Sequence, residues 1–170
     1  MGSRRLVPLR GVILPHLAGC FPKRPDKCYY MTMRRYEEID IAGDVGLRIY
    51  GSSLEELFVN AAEGLYSFIT NTDDLVNTTV ITVDIAEETT PRLLVAWLNE
   101  LIYRFDADGF TGKTVTVKDI DDQHIRAELV GEPFDLQRHQ RGILVKAATY
   151  HRLNIERQGQ NYIATVICDV

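Results

Sequence analysis

The stretch Tyr36–Thr70, YEEIDIAGDVGLRIYGSSLEELFVNAAEGLYSFIT, changes its hydrophobic period halfway along. Up to Gly51 it mixes β-branched, apolar and charged residues around a Gly43-Asp44 bend, which predicts two short strands joined by a tight turn. From Ser52 the period lengthens, and Leu54, Leu57, Phe58, Ala61, Leu65 and Phe68 fall on one stripe of a helix. Ser53 stands where an N-cap belongs. Glu56, three residues on, completes a capping box, its carboxylate expected on the amide of Ser53. A hairpin that feeds directly into an amphipathic helix is the start of an α+β domain.

The rest of the chain extends that pattern. Asn77–Glu87, NTTVITVDIAE, is rich in β-branched residues and reads as a strand. Thr90–Gly109, TPRLLVAWLNELIYRFDADG, predicts a second helix with Thr90 as N-cap, Pro91 at its first position and Gly109 closing it. Leu94, Trp97, Leu98, Leu101, Ile102 and Phe105 form its apolar face. Lys113–Phe134 predicts a hairpin turning at DIDDQ, and Ile143–Val170 predicts two strands joined at RQGQN. In the last run Tyr162, Ala164, Val166, Cys168 and Val170 share one side, while Ile163, Thr165, Ile167 and Asp169 share the other. The order β-β-α-β-α-β-β-β-β predicts a single α+β domain of mostly antiparallel sheet, with two main helices packed against it.

The 170 residues suffice for one core, and the net charge of −5 (pI near 5.4) argues against non-specific nucleic-acid binding, which needs an excess of lysine and arginine. No apolar run reaches 18 residues, so no membrane span is expected; the cysteine usage makes a reducing cytoplasm the expected setting. Cys20, Cys28 and Cys168 are odd in number and form no CxxC pair, which offers neither a zinc motif nor a disulfide framework. Cys168, within a strand run, reads as a buried structural thiol. Residues 1–32 are basic and proline-rich, without clean periodicity. They are expected to lie outside the fold, as a disordered extension or the product of an upstream start, with Met31 or Met33 as the functional beginning. LAGC at Leu17–Cys20 resembles a lipoprotein signal only superficially, because Pro8, Arg10, Pro15 and His16 break the apolar region it would need. The folded domain is expected over residues 33–170.

No phosphate-binding loop, dinucleotide fingerprint, nucleophile elbow or HExxH zinc motif is present. Three places carry candidate chemistry. In GEPFDLQRHQRG, Glu132, Asp135, Arg138, His139 and Arg141 crowd one loop, where Asp135 and His139 would meet on a helical turn. They read either as an acid/base or metal pair or as a solvated loop whose charges orient one another. In KAATYH, Lys146, Tyr150 and His151 could bind an anion or simply face water. Finally, Asp44 in its bend and Asp169 beside the α-carboxylate of Val170 would together supply three hard oxygen donors, suited to calcium, magnesium or manganese. A cation there would also relieve the repulsion between the last side chain and the chain end.

Four blocks in order carry a resemblance to the archease family: DVGLRIYGSSLEELFVNAAEGLYSFIT, LLVAWLNELIYRFDADGF, GEPFDLQRHQRGILVKAATYHRL and the hydrophobic–Asp–hydrophobic ending. The resemblance covers about Tyr36 to Val170. It implies an accessory protein of the GTP-dependent tRNA-splicing RNA ligase, one that assists guanylylation of the ligase and its repeated turnover. It also implies a divalent metal ion, calcium first among the candidates, held by Asp44, Asp169 and the terminal carboxylate of Val170. The family pattern reads His-Thr-Ala-Asp where this chain has Ile41-Ala42-Gly43-Asp44, so hydrogen bonds that the histidine and threonine would make to orient Asp44 are missing. The implied partner is the ligase, with RNA met only through it. Two other readings stand beside this one: a metal-dependent phosphoester hydrolase using Asp44, Asp169, Asp135 and His139, and a general chaperone.

Overall fold

The structure, a computed structural model, describes residues 34–170 apart from Ala42; the expected extension over residues 1–32 lies outside the described residues. Strands β1 (Tyr36–Ile41) and β2 (Asp44–Gly51) lead into helix α1 (Leu54–Ile69) and a 3-10 turn (Thr72–Asp74). Strand β3 (Thr79–Ala86), helix α2 (Thr90–Asp108) and strands β4 (Phe110–Ile120), β5 (His124–Pro133), β6 (Ala147–Gln158) and β7 (Asn161–Asp169) follow. The expected element order is found. The strands form two antiparallel sheets, β1-β2-β7-β6 and β3-β5-β4, where the sequence pattern left the partition open. Helix α1 packs on β2 and β4, and α2 packs on β6 and on all three strands of the second sheet. The two helices thus serve both sheets at once, and one continuous apolar core runs between them.

The helices start and stop for local reasons. Ser53 Oγ accepts the amide of Glu56 at 3.1 Å, as expected of an N-cap. The Glu56 carboxylate goes to the amide of Ser52 at 2.7 Å instead of that of Ser53, so the reciprocal half of the capping box is displaced by one residue. Helix α2 is likewise capped one residue early. Thr89 is the extended N-cap and makes no side-chain cap bond, while the Thr90 hydroxyl donates to the carbonyl of Asp122 at 3.2 Å in the β4–β5 turn. Gly109 closes α2 in the left-handed region (φ 66), its amide shared between the carbonyls of Arg104 and Phe105. Between the helices Trp97 is fully buried, and its indole N–H donates to the Phe58 carbonyl at 3.1 Å.

The first sheet has a smaller apolar cluster on its outer side. Gly46 faces Ile39 across β1 and Ile167 across β7. A Cβ at Gly46 would stand 3.2 Å from Ile39 Cβ and 3.3 Å from Ile41 Cδ1, so both isoleucines lean over the glycine. Ile167, on this side and away from the helices, is only 1% exposed. Ile41 therefore packs sideways over β2, and in this chain the position where the family pattern has histidine serves packing.

Where β2 hands over to α1, the chain passes closest to itself at Gly51. A Cβ there would lie 2.5 Å from the backbone nitrogen of Leu57 and 2.9 Å from its Cα. Backbone cannot yield as a flexible side chain would. Gly51→Ala is expected to cost about 3 kcal/mol by overpacking, seen as a lower urea midpoint at unchanged slope; a midpoint equal to wild type would refute the tight junction.

Candidate metal centre

Register decides what the chain end presents. Leu47 pairs with Val166 and Ile49 with Ala164, all four fully buried against the helices. Side chains alternate between sheet faces, so Asp44 and Asp169 are placed on the outer side. One step beyond the Val45–Cys168 pair, Asp44 comes alongside Asp169 on the neighbouring strand. Directly opposed residues of an antiparallel pair hold their Cβ atoms about 5 Å apart. The two aspartates that the sequence singled out are therefore neighbours. Asp44 is half-buried and Asp169 exposed, and neither carboxylate has a hydrogen-bond or ion-pair partner among the described residues.

The chain end is fixed from two sides. The Val170 side chain, on the same side as Cys168, packs against the core. The amide of Lys146 donates to the Asp169 carbonyl at 2.9 Å, and the Lys146 ammonium donates to the Val170 oxygen at 2.6 Å. Lys146 thus offsets one of the two negative charges at the terminus, leaving Asp44 and Asp169 without a cation among the described residues. Cys168 points the other way. Burial first, and then the neighbouring charge of Asp169, push its thiol up to about 12, so it stays protonated and is a poor metal ligand. The buried structural thiol expected from the sequence is found.

Among the described residues no group of three or more His, Cys, Asp or Glu side chains could hold a metal ion. Two side-chain carboxylates and the terminal carboxylate remain, an all-oxygen set. That chemistry fits a hard divalent cation such as calcium, magnesium or manganese. Such ions take six or more ligands, so these three groups would leave positions for water or for oxygens of a second protein.

The loop after β5 fits neither sequence reading as a whole. Asp135, Arg138 and Arg141 are exposed, whereas Glu132 and His139 are 3% and 4% exposed. The Asp135 carboxylate does not meet His139; it accepts the amide of Gln137 at 2.8 Å. His139 Nδ1 accepts the backbone amide of Asp135 at 3.0 Å, and Nε2 lies 3.2 Å from Glu132 Oε1. That pattern fixes the neutral tautomer with its proton on Nε2. Glu132 also accepts from Arg138 at 2.7 Å and from the Val76 amide at 2.7 Å. Glu132 therefore ties three pieces of chain together, and the His139 ring, engaged at both nitrogens, is not free to act as a base. The only sequence signal for this was charge crowding, because the burial comes from Phe134 packing beside His139 and Phe105. Of the third cluster, Lys146 holds the chain end, whereas Tyr150 and His151 sit apart from it on an exposed bulge of β6.

Comparison with known proteins agrees with this architecture. The model of the "Archease protein family (MTH1598/TM1083)" matches residues 36–170. Protein archease of Sulfurisphaera tokodaii is 32% identical over 140 residues, covering 81% of this chain and all of the relative. Protein archease of Pyrococcus furiosus is 35% identical over 128 residues, covering 74% of this chain and 90% of the relative. The solution structure of protein 1598 of Methanobacterium thermoautotrophicum superposes with a TM-score of 0.68 at 30% identity, over 80% of this chain and 99% of that one. The crystal structure of a Thermotoga maritima archease, described as a "possible chaperone", shares the fold with a TM-score of 0.56 at 22% identity, over 79% and 96% of the two chains.

The buried Glu132 gives a pH signature. Hydrogen bonding to Arg138 first, and then the Val76 amide, hold its carboxyl below the ordinary 4.5. A folded-state value below the unfolded one contributes stability that is complete above the unfolded value and is lost as pH falls through the folded one. Wild type should therefore lose stability as pH drops below about 4.5. Glu132→Gln should start less stable and lose less over the same interval. Thermal melts at stepped pH check this; parallel pH profiles for the two proteins would contradict it.

Proposed function

The chain belongs to the archease family, and on that premise we propose that it is an accessory protein that activates the GTP-dependent tRNA-splicing RNA ligase. In this role it promotes guanylylation of the ligase and its repeated turnover, as in tRNA splicing and RNA repair. It works with a divalent cation, calcium first among the candidates and magnesium or manganese next, held by Asp44, Asp169 and the carboxylate of Val170. The observation that carries this reading is the pair of unpartnered carboxylates that strand register sets side by side next to the chain end.

When bound, the cation would supply a fixed positive charge with coordination positions open to a second protein's oxygens. The chain's own residues then have distinct tasks. Asp44 and Asp169 provide the negative pair, Val170 anchors the terminus on the core, and Lys146 orients one terminal oxygen while keeping the site from becoming too negative. A contact made through such a site would stabilise one conformation of the ligase in proportion to its preference for that conformation. The net charge of −5 supports contact with RNA only through the ligase. A cytoplasmic setting goes with this role, and no helix among the described residues is long and apolar enough to cross a membrane. The hydrolase reading is disfavoured because it needs His139, whose ring is buried and hydrogen-bonded at both nitrogens.

Multiple-turnover ligation with this protein below the ligase concentration tests the proposal. Wild type should raise turnover strongly, and Asp44→Asn should lose most of that effect at limiting metal. In calorimetric titration, Asp44→Asn should bind calcium at least roughly tenfold more weakly, since charge count sets affinity at oxygen sites. Equal stimulation by both proteins would sink the metal-site reading, and no stimulation by either would sink the ligase role.

A further inference from the structure

We infer that the exposed bulge of β6 at Tyr150, His151 and Arg152 is the surface by which this protein docks on its partner ligase, against an acidic segment of that protein. The inference rests on the ligase role proposed above and adds to it the place and chemistry of the contact. The β6–β7 register passes from Thr149–Ile167 directly to Asn154–Thr165, so four residues of β6 bulge opposite one of β7. Strand β6 is an edge of its sheet, and bulges at edges re-aim side chains.

The bulge is held in a strained form. Arg152 has φ 52, the one positive value at a non-glycine residue among the described residues. A side chain in that conformation is sterically unfavourable, a strain glycine avoids. Stability alone would favour glycine here, yet the position carries a long cation. Tyr150 is 58% exposed, and His151 and Arg152 are exposed beside it. None of the three side chains makes a hydrogen bond or ion pair among the described residues.

Most other arginines among the described residues are occupied, from Arg35 on Glu63 to Arg138 on Glu132, while Arg157 lies over the ring of Tyr162. Only Arg141 shares the unpaired state of Arg152 among the described residues. Most cations among the described residues are paired, yet an aromatic, a histidine and an arginine stay unengaged there on one strained bulge. Tyrosine and arginine are the residue types that dominate binding energy at protein interfaces.

Position and charge select the occupant. Strand β6 runs into the bulge from Ala147, the partner of Asp169, so the bulge continues directly from the acidic end of the sheet. A protein that reaches that end would meet the bulge next. Its acidic segment would be drawn to Arg152 and His151 and turned away from Asp44 and Asp169, which fixes orientation as well as contact. Single-stranded RNA could also stack on Tyr150 and meet Arg152, but a net charge of −5 opposes a phosphate chain.

The test measures binding of the full chain to the ligase at low and at raised salt, together with multiple-turnover ligation. The variants are Arg152→Gly, Arg152→Glu and Tyr150→Ala. Arg152→Gly keeps the backbone conformation and removes the cation. It should melt at or above the wild-type temperature while ligase affinity falls roughly tenfold and its salt dependence weakens. Tyr150→Ala should lose a similar factor and Arg152→Glu more. Wild-type binding and stimulation by all three variants would overturn the docking surface while leaving the ligase role intact. Failure of wild type itself to bind or stimulate would overturn both. Binding of a single-stranded RNA probe without ligase, abolished by Arg152→Gly, would replace the protein partner with RNA and likewise overturn the inference.

Discussion

The pairing of β2 with β7 is the constraint on which the rest of this structure depends. Its inner side buries Leu47, Ile49, Ala164 and Val166 beneath the helices. Because side chains alternate along a strand, slipping this pair by one residue would turn the whole apolar set into water, so the register is held by the core. The same register sets Asp44 beside Asp169. The core thus fixes the geometry of the charged end without touching it, and residues that bury themselves for stability position residues that do not.

The acidic end is open by construction. Lys146 and the packed Val170 side chain fix the terminus, the Cys168 thiol is kept neutral on the far side, and two carboxylates remain unmatched among the described residues. Holding unmatched like charges side by side is unfavourable, and a cation removes that penalty. Ile41 takes the place of the family pattern's histidine and leans over Gly46. In this chain Asp44 is held by the backbone pairing of β2 with β1. The bulge of β6 extends the same corner of the sheet, so the unmatched anions and the unmatched cation lie along one strand direction with opposite signs.

Much of this was legible in the sequence because it is local. The switch of period at Gly51, the Ser53 cap, the Gly109 stop and both late hairpins follow from short-range patterns, and the structure shows them. Thr90 was expected to cap the second helix, but the cap is Thr89 and the Thr90 hydroxyl goes to the β4–β5 turn, a contact between residues far apart in sequence. The division into two sheets was illegible for the same reason: β2 pairs with β7 across almost the whole domain. Asp44 and Asp169 were identified by residue type and by resemblance, but only register showed them to be neighbours. Glu132 was read as part of a charged loop; it is buried with Arg138, His139 and the Val76 amide as its partners, and composition cannot reveal that the Val76 segment reaches it.

A role for the chain end as a ligand is tested most directly by a single glycine added after Val170. The extra residue moves the terminal carboxylate by about 3.8 Å and leaves Asp44, Asp169 and the core as they are. Calcium titration of this extended chain should show affinity at least roughly tenfold weaker than wild type, with an unchanged melting temperature in the absence of metal. Undiminished calcium affinity would contradict that role, because the terminus would then have no part in the site.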